Sequence, residues 1–487
     1  VTLFSPDFYG NPVTRNDWFG HYAEWASYIG VIPLVLALFA IGKKVKGEKL
    51  FFILLALISI LLAYPTPLND FLFNLRLPAI STSAASRIMV LLSFSLACLS
   101  AFGLDELIDF WKTKRLKNVV LFGVVLLLVV GMIWGILYIG KPFGLDKLVI
   151  ARRNLLLPTV FACTALGLMI VGFVKNRFIR FGILAGLVIL TALDLYRYAA
   201  KWMPFDPRGY VYPEEKSLLF LQSRIGNDRV FGNIGNEVGS EFQLPLIEGY
   251  DTMYQGRYAE FINAVSNGNP VPGSRSVVQF DKNGKLKAEA LQLLGVRYIY
   301  HRLSDGRNVW AFPYWEYLSD GSMRQIYSDE KYQVYEYAKA YPRAYLVSNY
   351  TVATDKQEII TTLFSKDFDR RESVVLEEKP SVDPEEGFGK ADIVSYSANN
   401  VMIKTESAVP KLLFLSDVYD PGWRATIDGK PIKIYRADYD FRAVSVPEGS
   451  HIVTFTYFPD SLRLGIVIVL ISAISMLVLQ QYENRLI

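Results

Sequence analysis

The chain is poor in the residues that build metal centres and disulfide frameworks. Its 487 residues include three histidines and two cysteines, Cys98 and Cys163. Both cysteines lie in apolar runs, so no disulfide network is expected to hold the polar part of the chain together. Because no cysteine or histidine spacing matches a zinc site, we predict no metal ligands. The sequence leaves open whether a divalent cation takes part in catalysis.

Glycine-rich nucleotide motifs are also missing, whereas long apolar runs are abundant. The glycines of 232–239 have the wrong spacing for a phosphate cradle. Seven apolar runs are predicted to cross a membrane, although several are shorter than the ~20 residues that span a hydrocarbon core comfortably. They are 25–42, 50–64, 88–104, 119–140, 155–174, 181–196 and 464–479. The sequence therefore predicts a multi-pass membrane protein.

Basic residues cluster in the loops that follow the first, third and fifth apolar runs. The positive-inside rule places these loops in the cytoplasm, so residues 201–462 should be extracytoplasmic. That region has 30 Lys plus Arg and 36 Asp plus Glu, a net charge of −6, whereas the whole chain has +4. The loop after the fourth run should also lie outside but holds Arg152 and Arg153. Either it breaks the rule or its arginines have an anionic partner.

The chain opens in a polar, aromatic segment that this topology places outside the cell. It begins at Val1, and no basic stretch followed by an apolar one precedes the first predicted span. We therefore expect a preceding segment, with this chain as the C-terminal part of a longer membrane protein. Residues 1–200 are then a transmembrane domain of about six spans.

The polar region has two parts that differ in the spacing of their apolar residues. Segments 214–225 and 286–294 have helical spacing, and short strands follow them, so 201–379 is predicted to be a mixed α/β domain. An acidic linker with proline and glycine, 380–390, begins the next domain. The rest of 380–462 consists of short strand-like segments with turn signals such as Asp428-Gly429, a pattern typical of a β-sandwich. Residues 463–487 form the final transmembrane helix and a cytoplasmic tail.

The segment 416–465 reads SDVYDPGWRATIDGKPIKIYRADYDFRAVSVPEGSHIVTFTYFPDSLRLG and resembles the C-terminal signature of the bacterial YfhO family of membrane proteins. Upstream segments are similar to family landmarks in the same order. They are LFSPDFYG at 3–10, YIGVIPLVLAL at 28–38, RLPAISTSAASRIMVLLSFSLACLSAFGLDEL at 76–107, IEGYDTMYQGRY at 247–258 and YPRAYLV at 341–347. The resemblance covers nearly the whole chain.

The resemblance implies a GT-C type glycosyltransferase in the bacterial plasma membrane. Such an enzyme takes a sugar from a polyprenyl-phosphate donor and transfers it to a cell-envelope polymer on the outer face. Its partners would be membrane lipids, the lipid-linked sugar and the acceptor polymer, with no nucleic acid. The family pattern places the catalytic acid in a first extracytoplasmic loop, which we expect upstream of residue 1, so this chain is expected to lack the catalytic loop.

Arginines near the outer membrane surface are the candidate phosphate ligands. Arg76 and Arg87 border the loop at 65–86, where a guanidinium fork suits a lipid phosphate. The alternative is that both simply snorkel at helix ends. Arg152 and Arg153 are candidates because they depart from the charge pattern of the other outer loops.

The opening segment supplies the candidates for binding sugar. Tyr9 and Glu24, with Asp7 and Asp17, lie where the resemblance places the membrane face of the active site, although most loop acids are simply solvated. Asp194, near the outer end of an apolar run, is predicted to be a wetted interfacial acid. Trp423 is predicted to be a buried anchor of the sandwich core rather than a platform for a sugar ring.

Three classes of function are compatible with these features. A glycosyltransferase using a lipid-linked sugar is favoured by the resemblance and the outer arginines. A non-catalytic envelope factor would use its outer domain to bind glycan or a partner enzyme. A transporter or flippase ranks last, because the spans contain few charged residues or Gly/Pro breaks of the kind that line transport sites.

Overall fold

The computed structural model describes residues 1–20, 22, 27–42, 45, 47–76, 85–203, 205–212, 214–251, 253–274, 276–304 and 321–486. The chain forms two compact units, Val1–Asp206 and Pro207–Ile487. We call them the membrane unit and the outer unit, the second after the location that the sequence predicts for most of it.

The membrane unit is helical. A 3₁₀ turn, Ala85–Ile88, leads into its fourth helix, and a π-helical turn, Ile136–Gly140, extends its fifth. The helices are α1 (Val31–Ile41), α2 (Glu48–Ala63), α3 (Pro67–Asn74), α4 (Met89–Thr113), α5 (Leu116–Gly135), α6 (Leu145–Val171) and α7 (Arg177–Trp202).

The protein is a multi-pass membrane protein, and its described residues contain fewer candidate spans than the seven predicted. Among the described residues, five helical segments are long and apolar enough to cross a membrane: Ala85–Thr113, Leu116–Gly140, Leu145–Val171, Arg177–Trp202 and Asp460–Gln481. Helices α2 and α3 make a sixth if they count as one span bent by 69°. In the described part of the predicted run 25–42, the helix is the 11-residue α1, which begins after Gly30 at φ 92°.

Helix α1 is buried on most of its surface, which explains why it is apolar all round. It packs mainly against α4. At Gly103 of α4 the two backbones approach so closely that a Cβ would lie 2.0 Å from the carbonyl oxygen of Leu36. Small residues permit such contacts between membrane helices. The packing of α1 therefore depends on a glycine in its neighbour.

The outer unit combines six helices with seventeen strands among the described residues. The helices are α8 (Lys216–Arg224), α9 (Asn236–Glu241), α10 (Gly256–Asn267), α11 (Lys287–Leu293), α12 (Lys356–Leu363) and α13 (Asp460–Leu486). The strands are β1 (Arg229–Gly232), β2 (Gly249–Tyr250), β3 (Val277–Val278), β4 (Val296–Arg302), β5 (Met323–Ser328), β6 (Tyr332–Tyr337), β7 (Ala344–Val347), β8 (Asn349–Val352), β9 (Ser373–Leu376), β10 (Gly389–Ser397), β11 (Asn400–Ser407), β12 (Lys411–Val418), β13 (Trp423–Ile427), β14 (Lys430–Ile432), β15 (Tyr435–Ala437), β16 (Phe441–Val446) and β17 (Gly449–Tyr457).

These strands form three larger sheets and one two-stranded ribbon. The sheet orders are β1-β4-β6-β5, β10-β11-β17-β13-β14 and β7-β12-β16-β15-β9-β8, with β2 and β3 forming the ribbon. Three strands of the six-stranded sheet, β7 to β9, precede the predicted linker at 380–390. The sequence analysis assigned them to the α/β domain, but pairing across the sheet joins them to strands that follow the linker.

Strand β12 is buried on both faces of the six-stranded sheet. Leu413 and Leu415 share a core with residues of the five-stranded sheet such as Phe455. Leu412 and Phe414 face a second core that includes residues of α10 and α12. Double burial explains why the stretch LLFL at 412–415 is continuously apolar rather than alternating.

Candidate functional site

The predicted phosphate ligands lie at helix ends of the membrane unit. Arg76 follows α3, and Arg87 belongs to the 3₁₀ turn that precedes α4. Both side chains are exposed. Residues 77–84, which connect them, lie outside the described part of the chain. The phosphate-binding role of this pair stays a prediction.

Arg152 and Arg153 are neighbours on α6 with different surroundings. Arg152 donates from Nη2 to the carbonyl oxygen of Leu137 at 2.6 Å, and its guanidinium lies 4.1 Å from the ring centroid of Tyr138. Both partners belong to the π-helical turn, where altered backbone pairing is common. Arg153 is exposed. Arg152 is therefore partly committed to this turn, and Arg153 is the more available of the two.

Tyr9 belongs to an aromatic cluster in the opening loop. Its ring stacks on Phe19 at 4.8 Å between centroids and makes edge contacts with Trp18 at 5.0 Å and Phe143 at 6.5 Å. Such a cluster supplies apolar ring faces of the kind that sugars stack on. Glu24, the other candidate from this segment, lies outside the described residues.

Asp7 is buried, and both its carboxylate oxygens are engaged. Oδ1 accepts from the hydroxyl of Tyr22 at 2.7 Å and from Nδ2 of Asn11 at 2.8 Å, and Oδ2 pairs with Lys201. Burial alone would raise the pKa of Asp7, but these donors outweigh it and hold the pKa below its ordinary value. Asn154 also donates to the Asp7 carbonyl at 2.5 Å. Asp7 therefore ties the opening loop to α6 and α7.

The expectation that Asp194 is a wetted interfacial acid is wrong. Its side chain is 1% exposed and accepts hydrogen bonds from the hydroxyl of Tyr28 at 2.5 Å and the backbone N–H of Val31 at 3.0 Å. Arg197 lies 3.7 Å away on the same helix. Val31 is the first residue of α1, where backbone N–H groups lack partners within the helix. Asp194 thus accepts a hydrogen bond from a backbone N–H that would otherwise lack a partner at the start of the buried helix α1.

In the outer unit, segments that resemble family landmarks meet at Asp417. This buried carboxylate pairs with three arginines that come from distant parts of the chain, Arg343 at 2.8 Å, Arg229 at 3.0 Å and Arg442 at 3.1 Å. The hydroxyl of Tyr396 also donates to it at 3.0 Å. Burial would raise the pKa of Asp417, but the arginines outweigh it and lower the pKa.

Trp423 is half-buried rather than a fully buried core anchor, which corrects the prediction. The guanidinium of Arg442 lies 4.0 Å from the Trp423 ring centroid and 5.1 Å from that of Phe455. The Trp423 ring also contacts Tyr457 at 5.1 Å. One face of the indole therefore covers a buried cation, an arrangement that cation–π attraction stabilises.

A strained acidic turn connects β15 to β16. Asp438 and Tyr439 have φ of 46° and 85°, values unusual for residues other than glycine. Asp438 and Asp440 are buried, and burial raises the pKa of each to about 7. Arg257 donates from Nη2 to the Tyr439 carbonyl at 2.7 Å, and Arg436 Nε lies 3.7 Å from Asp440 Oδ1.

Backbone strain and shifted carboxyl groups are features that cluster at functional sites. We call Arg257, Arg436, Asp438, Tyr439 and Asp440 the acidic-turn cluster. The sequence analysis missed it because Asp-Tyr-Asp between two short strands resembles an ordinary solvated hairpin turn. The available signal was that two landmark segments, 247–258 and 416–465, each contribute to it. Among the described residues, no three His, Cys, Asp or Glu side chains are placed to hold a metal ion.

Residues 388–469 match the family model described as "Bacterial membrane protein YfhO". The C-terminal segment of the chain therefore belongs to the YfhO family of bacterial membrane proteins. The YfhO-matching segment runs from the start of β10 into α13 and includes Asp417, Trp423 and the acidic turn. The "Uncharacterized protein YfhO" of Bacillus subtilis (strain 168) is 29% identical over 83 residues, which are 17% of this chain and 10% of that protein. The match thus spans a tenth of this relative's length. No solved structure matches.

Proposed function

We propose that this YfhO family protein is a GT-C type membrane glycosyltransferase. It would transfer a sugar from a polyprenyl-phosphate donor to a cell-envelope polymer on the outer face of the bacterial plasma membrane. The observation that carries the proposal is that the YfhO-matching segment continues without a break into α13, an apolar helix long enough to span a membrane. A polar unit anchored in this way lies beside lipid, where a lipid-linked donor resides.

In this proposal the membrane unit is a GT-C-like bundle and binds the donor. Arg76 and Arg87 hold its phosphate and stabilise the negative charge that develops when the sugar leaves. Arg153 adds a third exposed guanidinium, whereas Arg152 orients the π-helical turn. Tyr9 and Glu24 contact the sugar. Asp7 is not proposed as the catalytic acid, because both of its carboxylate oxygens are already engaged.

The outer unit would present the acceptor. Its five-stranded and six-stranded sheets share a buried core, which supports a β-sandwich built partly from strands upstream of residue 380. Within the acidic-turn cluster, the partly exposed Arg257 and Arg436 would provide polar contacts for a glycan. We propose no bound cofactor besides the lipid-linked sugar, and the use of a divalent cation stays open.

The test is transfer by the full-length protein in proteoliposomes. Radiolabelled polyprenyl-phosphate sugars are supplied with crude envelope polymer. We expect Arg76→Ala and Arg87→Ala each to reduce transfer by about 100-fold, since lost electrostatic stabilisation of a transition state costs on this order. Lysine at either position should restore only part of the rate, because it lacks the bidentate fork.

Arg324→Ala is the matched control, because Arg324 is an exposed arginine of the outer unit paired only with Glu336 among the described residues. It should leave transfer unchanged. If wild-type protein transfers no sugar from a panel of common donors and does not bind the lipid, the glycosyltransferase proposal is abandoned.

We further propose that the outer unit is extracytoplasmic, on the basis of the basic loops between helices. In a chain whose two native cysteines are replaced by serine, Ser274→Cys should react with a membrane-impermeant maleimide in intact cells. Lys117→Cys, at the exposed, basic start of α5, should react only after lysis. Labelling of Lys117→Cys in intact cells would reverse the topology.

A non-catalytic envelope factor is the second candidate. The engagement of Asp7 favours it, because this buried acid of the opening loop serves to hold the loop in place. Such a factor would bind envelope glycan or a partner enzyme and would show glycan binding without transfer. A transporter or flippase remains the lowest-ranked possibility.

A further inference from the structure

Apart from the acidic-turn cluster, the outer unit contains a polar groove of about 1060 Å³. Helix α10 contributes Asn263 and Ser266 to it. One wall is the loop 269–274, and the other is the segment 277–283. We call this feature the α10 groove. The YfhO match does not cover this groove, because the groove lies upstream of residue 388.

The first wall is fixed to α10. Asn263 Nδ2 donates to the carbonyl oxygens of Val271 at 3.0 Å and Pro272 at 3.1 Å. Gly273 packs so closely that a Cβ would lie 2.7 Å from Ala259 Cβ. The loop 269–274, although rich in glycine, proline and polar residues, therefore has a defined position.

The second wall is joined to the end of the same helix. The N–H of Lys285 donates to the Ser266 carbonyl at 2.9 Å, and the N–H of Leu286 donates to the Val265 carbonyl at 3.1 Å. At Gly284 a Cβ would lie 2.5 Å from the Val265 carbonyl oxygen. Both walls are thus built on one helix, and a preformed groove loses less conformational entropy when a ligand binds.

The chemistry of the α10 groove selects for uncharged polar ligands. Asn269, Gln279 and Asn283 are exposed, and within the described part of the chain no hydrogen bond engages their side-chain amides. Each amide can donate and accept. Among the lining residues that the structure describes, Asp281 and Lys282 are the charged ones, and their charges cancel. Val271 and Pro272 add small apolar surfaces.

We infer that the α10 groove binds a neutral, hydroxyl-rich saccharide chain. A sugar hydroxyl both donates and accepts, as a carboxamide does, and the C–H faces of a sugar ring suit the small apolar surfaces. The described lining residues carry no net charge, which disfavours a polyanion, because binding a polyanion requires an excess of lysine and arginine. The inference depends on the proposed function in one respect, which is that this saccharide is part of the acceptor.

The experiment measures oligosaccharide binding by the full chain in nanodiscs. Neutral tetrasaccharides of glucose, galactose and N-acetylglucosamine are the probes, with poly(glycerol phosphate) as the charged comparison. We expect at least one neutral probe to bind. The double variant Gln279→Ala, Asn283→Ala should raise its Kd about tenfold, as expected for the loss of two hydrogen bonds. Gln279→Trp, which fills the groove, should have at least the same effect.

Gln325→Ala is the matched control, since Gln325 is an exposed carboxamide on β5 outside the groove lining. It should bind as wild type does. The inference is overturned if no neutral probe binds, if both groove variants bind like wild type, or if poly(glycerol phosphate) binds in preference. Arg76→Ala distinguishes the two proposals, because it should abolish transfer while leaving this binding intact.

Discussion

Replacing Asp417 with alanine should lower the free energy of unfolding of the outer unit by about 3–5 kcal/mol, because it leaves buried arginines without their counter-ion. The side chains of Arg229 and Arg343 are each 10% exposed and that of Arg442 is 2% exposed, so water cannot readily replace the carboxylate. Urea unfolding of the full chain in detergent, followed by tryptophan fluorescence, measures the change.

The matched control is Asp392→Ala. Asp392 also pairs with a basic residue, Lys390, but the pair is exposed, and such pairs contribute at most about 1 kcal/mol. Asp417→Asn keeps the hydrogen-bond acceptor and loses the charge, so it should be intermediate. Equal effects of Asp417→Ala and Asp392→Ala would show that the three arginines do not depend on Asp417.

Replacing Gly103 with leucine should destabilise the membrane unit by about 3 kcal/mol or more, because overpacking forces backbones apart. The first carbon of any side chain here would lie 2.0 Å from the Leu36 carbonyl oxygen, and a backbone atom cannot rotate away. Helices α1 and α4 would have to separate. Size-exclusion chromatography and thermal unfolding in detergent measure the loss.

Gly131→Leu provides the control for the membrane helices. Gly131 is exposed in α5, and no described atom lies within 4 Å of the position its Cβ would take. The same change of side chain should therefore leave the melting temperature nearly unaltered. A similar loss at both positions would mean that helix propensity or insertion, rather than the contact with α1, determines the result.

Features of the candidate site that depend on the local sequence could be predicted, whereas features that depend on long-range contacts could not. The exposed positions of Arg76 and Arg87 at helix ends agree with what local hydropathy predicts, although their role is still untested. The embedding of Asp194 could not be anticipated, because the partner that explains it, Val31, lies 163 residues away. The acidic turn was also missed, because its burial depends on α10 and Arg257, far upstream.

The sequence alone determined that this is a multi-pass membrane protein with a large polar region and a YfhO-family C-terminal segment. Hydropathy, turn signals and a contiguous motif are local properties and can be recognised along the chain. Only the tertiary structure decided that β7 to β9 complete a sheet with strands beyond residue 388, and that Asp417 gathers three arginines. Sheet pairing and ion clusters join residues distant in the chain, so their energies depend on contacts that no local pattern specifies.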